Sequence, residues 1–61
     1  MVNLKELREK AGLTQQELAD QCNVIRQTIS NIECELSRPS VETAKLIAKV
    51  LGFSWTDFFS D

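Results

Sequence analysis

The chain has 61 residues, 43% hydrophobic and 26% charged, with two glycines and one proline, a composition that describes one folded domain over 1–61 and excludes a disordered tail. No apolar run approaches the ~20 residues of a membrane span and the N-terminus lacks a signal-peptide core, so a soluble cytoplasmic protein is expected. Two cysteines with no histidine argue against a zinc site, and nine acids against seven bases give a net charge of −2, so any affinity for nucleic acid must come from local geometry.

Asn3 followed by Glu6 reads as an N-cap with its capping-box partner, opening a first helix with Leu4, Leu7 and Ala11 on one face. Gly12 closes it. Thr14 and Glu17 form a second capping box, and in the helix that follows Leu18, Ala19 and Cys22 look inward. Asn23 then occupies a left-handed turn position, which asparagine tolerates. A third helix is predicted over Arg26–Glu33, with Ile25, Ile29 and Ile32 clustered on one side at 100° per residue. Pro39 and Ser40 end the next loop. Ser40 caps a fourth helix whose core stripe is Val41, Ala44, Ile47, Ala48 and Leu51, and Gly52 stops it. Ser54 and Asp57 suggest a further capping box for a short final helix carrying Trp55, Phe58 and Phe59. No stretch alternates as a strand would, so the expected fold class is all-α, with five helices.

The second and third helices, joined by a tight turn, have the form of a helix-turn-helix. Ala19 is small where the two helices cross. The outer face of the third helix carries Arg26, Gln27, Ser30 and Asn31, with no acid and a single base. A merely solvated face favours Glu and Lys; amides and a guanidinium suit base edges, Gln and Asn pairing with adenine and Arg with guanine.

The runs LTQQELADQCNVIRQTISNIE and RPSVETAKLIAKVLGFSWTDFF resemble the Cro and CI-type (XRE family, lambda-repressor-like) helix-turn-helix domain of phage repressors and small bacterial regulators. The spacing from Gln15 through Ala19, Asn23, Ile29 and Ile32 to Pro39 carries the resemblance over nearly the whole chain. It implies a five-helix bundle binding double-stranded DNA as a two-fold dimer. It also implies that Gln15 touches phosphate and a base, that Arg26, Gln27 and Asn31 read bases with Ser30 on the same face, and that Thr14, Thr28, Ser37 and Arg38 contact phosphates. Arg8 and Glu33 match a pair that ties the first helix to the third. The chain departs from the family where a turn glycine is replaced by Asn23, a capping Ser or Thr by Ile25, and an Asn-Gly-Lys-like loop by Cys34, Glu35 and Leu36.

Leu46 and Val50 form a second apolar strip on the fourth helix, ~140° from its core stripe. With Trp55 they make a candidate homodimer interface. The other reading of the aromatics is a plug at the bottom of the bundle. Cys22 and Cys34 are expected buried and unbridged, since a helix of ~12 Å separates them and a disulfide needs Cα atoms within ~7 Å. There is no nucleophile–base pair, metal cluster or phosphate loop in the sequence, so no enzyme, cofactor or small-molecule effector is expected. The function expected is a sequence-specific transcriptional regulator, a phage or bacterial repressor. The alternative is an antitoxin- or antirepressor-like interaction module on the same fold.

Overall fold

Local signals written into the chain account for both ends of most elements. The computed structural model describes residues 3–59, so the outermost residues of the expected 1–61 domain lie outside the described residues. Among these are four α-helices, α1 (Leu4–Lys10), α2 (Gln15–Cys22), α3 (Arg26–Glu33) and α4 (Val41–Leu51), then a 3-10 helix at Trp55–Phe59, and no strand.

Side chains cap three of the four α-helices at the start. Asn3 accepts from the Glu6 N–H at 3.0 Å, while the Glu6 carboxylate turns to Lys10 at 3.2 Å. Thr14 and Glu17 form the complete reciprocal box, and Ser40 accepts from the Thr43 N–H. Ile25 opens α3 without a side-chain cap.

All four α-helices finish on one device, in which the chain turns through a left-handed residue and an N–H reaches back five residues. These bonds run from Leu13 to Arg8, Val24 to Ala19, Leu36 to Asn31 and Phe53 to Ala48, at 2.8–3.1 Å. The left-handed residues are Gly12, Asn23, Glu35 and Gly52. At Glu35 (φ 59°) this is a conformation that an ordinary side chain makes costly.

The core is Leu4, Leu18, Ala19, Cys22, Ile29, Ile32, Ala44, Ile47 and Phe58. α2 packs on both α3 and α4, α1 lies against α3, and the 3-10 helix closes α4. Ala19 is wholly buried, as the close crossing of α2 requires.

Four expectations about burial need correction. Ile25 and Val41 are exposed, at 70% and 50%, and do not join the stripes of α3 and α4. Ala11 and Cys34 are exposed too. Ile25, Ala11 and Cys34 are cap residues, where helical geometry has not begun or has ended, so a 100° wheel misplaces their side chains. Val41 lies at the first position of α4, a turn ahead of Ala44, where burial begins. The buried residues of α1 are Leu4 and Arg8; Leu7 is half-buried and Ala11 exposed, so the inward face is narrower than its apolar pattern implies.

The last element differs in kind. Its capping box is absent: the Ser54 and Thr56 hydroxyls share a hydrogen bond at 2.7 Å, and the Asp57 N–H bonds the Ser54 carbonyl instead. Five residues with bonds three apart make a 3-10 helix, so the fifth expected helix is a tighter, shorter piece. It still plugs the bundle: Phe58 is buried with its ring edge-on to Phe53 at 5.3 Å.

Candidate nucleic-acid interface

α3 is fixed from within before its outer face presents anything. Ile29 and Ile32 are buried on one side. At its last turn Glu33 forms an ion pair with Arg8, Nε to Oε2 at 2.7 Å, with side-chain exposures of 11% and 4%. The Arg8 Nη1 donates to the Leu13 carbonyl at 2.7 Å, tying the α1–α2 turn into the same cluster. The hydrogen bond to Glu33 raises the Arg8 pKa above its ordinary value; burial opposes this, and the charges of Glu33 and Glu9 reinforce it. Arg8 and Glu33 thus join the first helix to the third, as the resemblance implied.

Glu33 has a further partner that sequence reasoning missed. The Gln15 amide nitrogen donates to its Oε1 at 3.1 Å, and the Gln15 Oε1 accepts from Arg26 Nε at 3.4 Å. A continuous chain of bonds therefore runs from the buried Arg8 to the exposed Arg26. The separations of 18 and 11 residues leave no local trace in sequence, so only the packed α2–α3 pair reveals it. With its nitrogen turned to the Glu33 carboxylate, the Gln15 amide presents its oxygen, its only acceptor, toward Arg26.

On the outer face Arg26 and Gln27 are exposed, Ser30 and Asn31 half-buried. The Gln27 amide nitrogen donates to the Asn31 Oδ1 at 2.8 Å across one helical turn. That bond involves neither the Gln27 oxygen nor the Asn31 nitrogen, so an acceptor and a donor stand side by side with no part in it. Adenine shows the complementary pair in the major groove, an N6 donor and an N7 acceptor.

The residues expected to meet phosphate divide into two groups. Thr14 and Gln15 line an open groove of about 750 Å³ with Arg26, Arg8 and Gln16. Thr14 spends its acceptor on the Glu17 N–H at 3.0 Å, which leaves its hydroxyl hydrogen available. Ser37 and Arg38 are exposed and line a separate cleft of about 250 Å³ that also includes Asn3, Glu35 and Phe58. Thr28 is half-buried on α3. The structure thus brings Thr14, Gln15 and Arg26 together and sets Ser37 and Arg38 apart from them.

The apolar strip on α4 is only partly free. Val50 and Trp55 are half-buried and pack against the core, and Lys45 lies 5.1 Å over the Trp55 ring. Leu46 is 39% exposed and Phe59 36%. The second strip therefore has a partial place inside the single bundle.

Among known proteins, a helix-turn-helix family model matches residues 4–58. The chain is 41% identical over 58 residues to the uncharacterized HTH-type transcriptional regulator YqaF of Bacillus subtilis (strain 168), covering 95% of this chain and 76% of that protein. It is 34% identical over 58 residues to the HTH-type transcriptional regulator PuuR of Escherichia coli (strain K12), again over 95% of this chain but 31% of that protein. With the HTH-type transcriptional regulator ImmR of Bacillus subtilis (strain 168) it shares 36% over 55 residues, 90% of this chain and 42% of that protein. No solved structure matches it. On that match, and on the paired α2 and α3 that embody it, the chain belongs to the XRE-type helix-turn-helix family.

Proposed function

We propose that this chain is a sequence-specific DNA-binding transcriptional regulator of the phage or bacterial repressor kind, acting in the cytoplasm and reading the major groove with residues 26–33. One observation carries the reading: a helix locked inward by Ile29, Ile32 and Glu33 turns a guanidinium and an amide pair outward, with no acid among them. Arg26 and the Gln27–Asn31 pair meet base edges, with Ser30 beside them, and Gln15 holds Arg26 in place. Thr14, Thr28, Ser37 and Arg38 donate to backbone phosphates, which sets register without reading sequence. Repression asks no more than occupancy of a site, and the two free thiols suit a reducing compartment.

The bundle measures 27 Å along its longest axis, less than the ~34 Å between successive major-groove faces. Reading two half-sites therefore takes two copies, and the proposed contact is Leu46 with the outer edges of Val50 and Trp55. Leu46→Asp tests it better than a change at Val50, because Leu46 is not counted among the core and its packed neighbours. Sedimentation should give a dimer for wild type and a monomer for this variant; a wild-type monomer at micromolar concentration sinks the assignment.

Selection of sites from random duplex DNA, at low and at physiological salt, tests the central reading. A converged site is expected, with alanine at Gln27 or Asn31 costing ~1–3 kcal/mol there and relaxing preference at that position. The net charge of −2 and the acid at Glu35 favour the other reading, a protein-interaction module on this fold. Failure of the selection to converge at either salt would favour that module.

A further inference from the structure

Ile25 is an anomaly on its own terms. It caps α3 in an extended conformation (φ −81°, ψ 154°) without a side-chain bond to the helix. It is 70% exposed, whereas Ile29, Ile32 and Ile47 are each 6% exposed or less. Scattered exposed aliphatics are ordinary. The difference is position: Ile25 directly precedes Arg26, at the end of the helix whose first residues meet base edges in a groove-reading domain. A serine or threonine there would cap the helix, whereas the isoleucine supplies no such bond and leaves most of its side chain in water.

The major groove has one apolar mark, the C5 methyl of thymine. We infer that Ile25 is a base-reading residue, packing its side chain against the methyl of a thymine next to the base that Arg26 meets. The inference rests on the DNA-reading function proposed above. It adds an apolar element to a face that otherwise distinguishes bases by hydrogen bonds alone. The exposed Leu36 lies at the opposite end of α3 and takes no part.

Deoxyuridine lacks only the methyl and keeps the pairing edge and O4 of thymine. In a site selected from random duplex DNA, each thymine is replaced singly by deoxyuridine and binding is measured for wild type, Ile25→Ala and Ile25→Thr. One replacement per half-site should weaken wild type roughly fourfold, the effect of losing one buried methyl, while Ile25→Ala binds thymine and uracil sites equally. Ile25→Thr retains a methyl and supplies a cap; it should keep part of the discrimination in a protein that melts no lower than wild type. Wild-type binding indifferent to deoxyuridine everywhere, or a full penalty surviving in Ile25→Ala, overturns the inference and leaves the proposed function standing. A selection that yields no preferred site sinks both.

Discussion

α2 and α3 are adjacent helices of eight residues each, and they are held in opposite ways. α2 begins in a complete capping box and ends on Asn23, a residue suited to the left-handed turn it makes. α3 begins at a bare Ile25 and ends before Glu35, which occupies the same kind of turn at φ 59°. Local chemistry therefore favours α2 in its own right. α3 depends on Ile29, Ile32 and the Arg8–Glu33 pair, contacts that exist only once the bundle has assembled. The residues that fail local rules stand at the two ends of the helix that carries the polar outer face. Departures of this kind concentrate at functional positions, where a side chain is kept for something other than stability.

The sharpest way to break this contrast is to remove the tertiary hold on α3. Arg8→Ala leaves Glu33 buried without its charge partner and should cost about 3–5 kcal/mol. A domain of this size has roughly 3–9 kcal/mol in all, so this variant should lose about half of its stability or more, and its melting temperature should fall far below that of wild type. A cooperative melt near the wild-type temperature would show that α3 does not need the pair.

Smaller changes at the helix starts sharpen it. Thr14→Ala removes the α2 cap and should lower stability by about 1 kcal/mol. Ile25→Ser supplies the cap α3 lacks and gives up little packing, since the side chain is mostly in water; a gain of about 0.5–1 kcal/mol should follow. Denaturant midpoints moving in the same direction for both would show that the two starts are not opposites.

At the far end, Glu35→Gly relieves the left-handed strain. The gain is about 0.5–1 kcal/mol, because the added freedom of the unfolded glycine offsets part of the relief. A melting temperature that falls would mean the Glu35 side chain holds the turn.

Smallest in its effect on the fold is the thiol contrast. Burial pushes the Cys22 thiol above its usual pKa and shields it, while Cys34 at the end of α3 is open to solvent. Alkylation at pH 8 should therefore give a single adduct at Cys34 by mass spectrometry, and a second only on unfolding. Equal rates at the two sites would contradict the tight closure around α2.

Much of this was legible in the sequence because it is written locally. Asn3, Thr14 and Ser40 mark helix starts, Gly12, Asn23 and Gly52 mark ends, and α3 lies between Arg26 and Glu33 as its pattern predicts. The composition of the outer face was equally visible. What escaped depends on tertiary placement or on geometry at the caps. Gln15 meets Glu33 across 18 positions. The exposure of Ile25 and Ala11 was hidden by extending a helical wheel past the caps. At the C-terminus, Ser54 and Asp57 carry the letters of a capping box, but letters alone do not separate a 3-10 helix from the start of an α-helix.

The link from Gln15 to Arg26 has a consequence for the timing of molecular encounters. An arginine free in solvent has ~2 kcal/mol of rotamer entropy to lose, and ordering such a side chain at an interface costs about 0.5–1.5 kcal/mol. Here the Nε is already held by the Gln15 oxygen, which is itself anchored through Glu33 to the interior. Part of that disorder is removed when the chain folds, before any partner arrives. At 3.4 Å in solvent this is a loose hold, so the terminal guanidinium nitrogens keep some freedom, and a complementary surface reaching Arg26 selects among fewer conformers than a free side chain would offer.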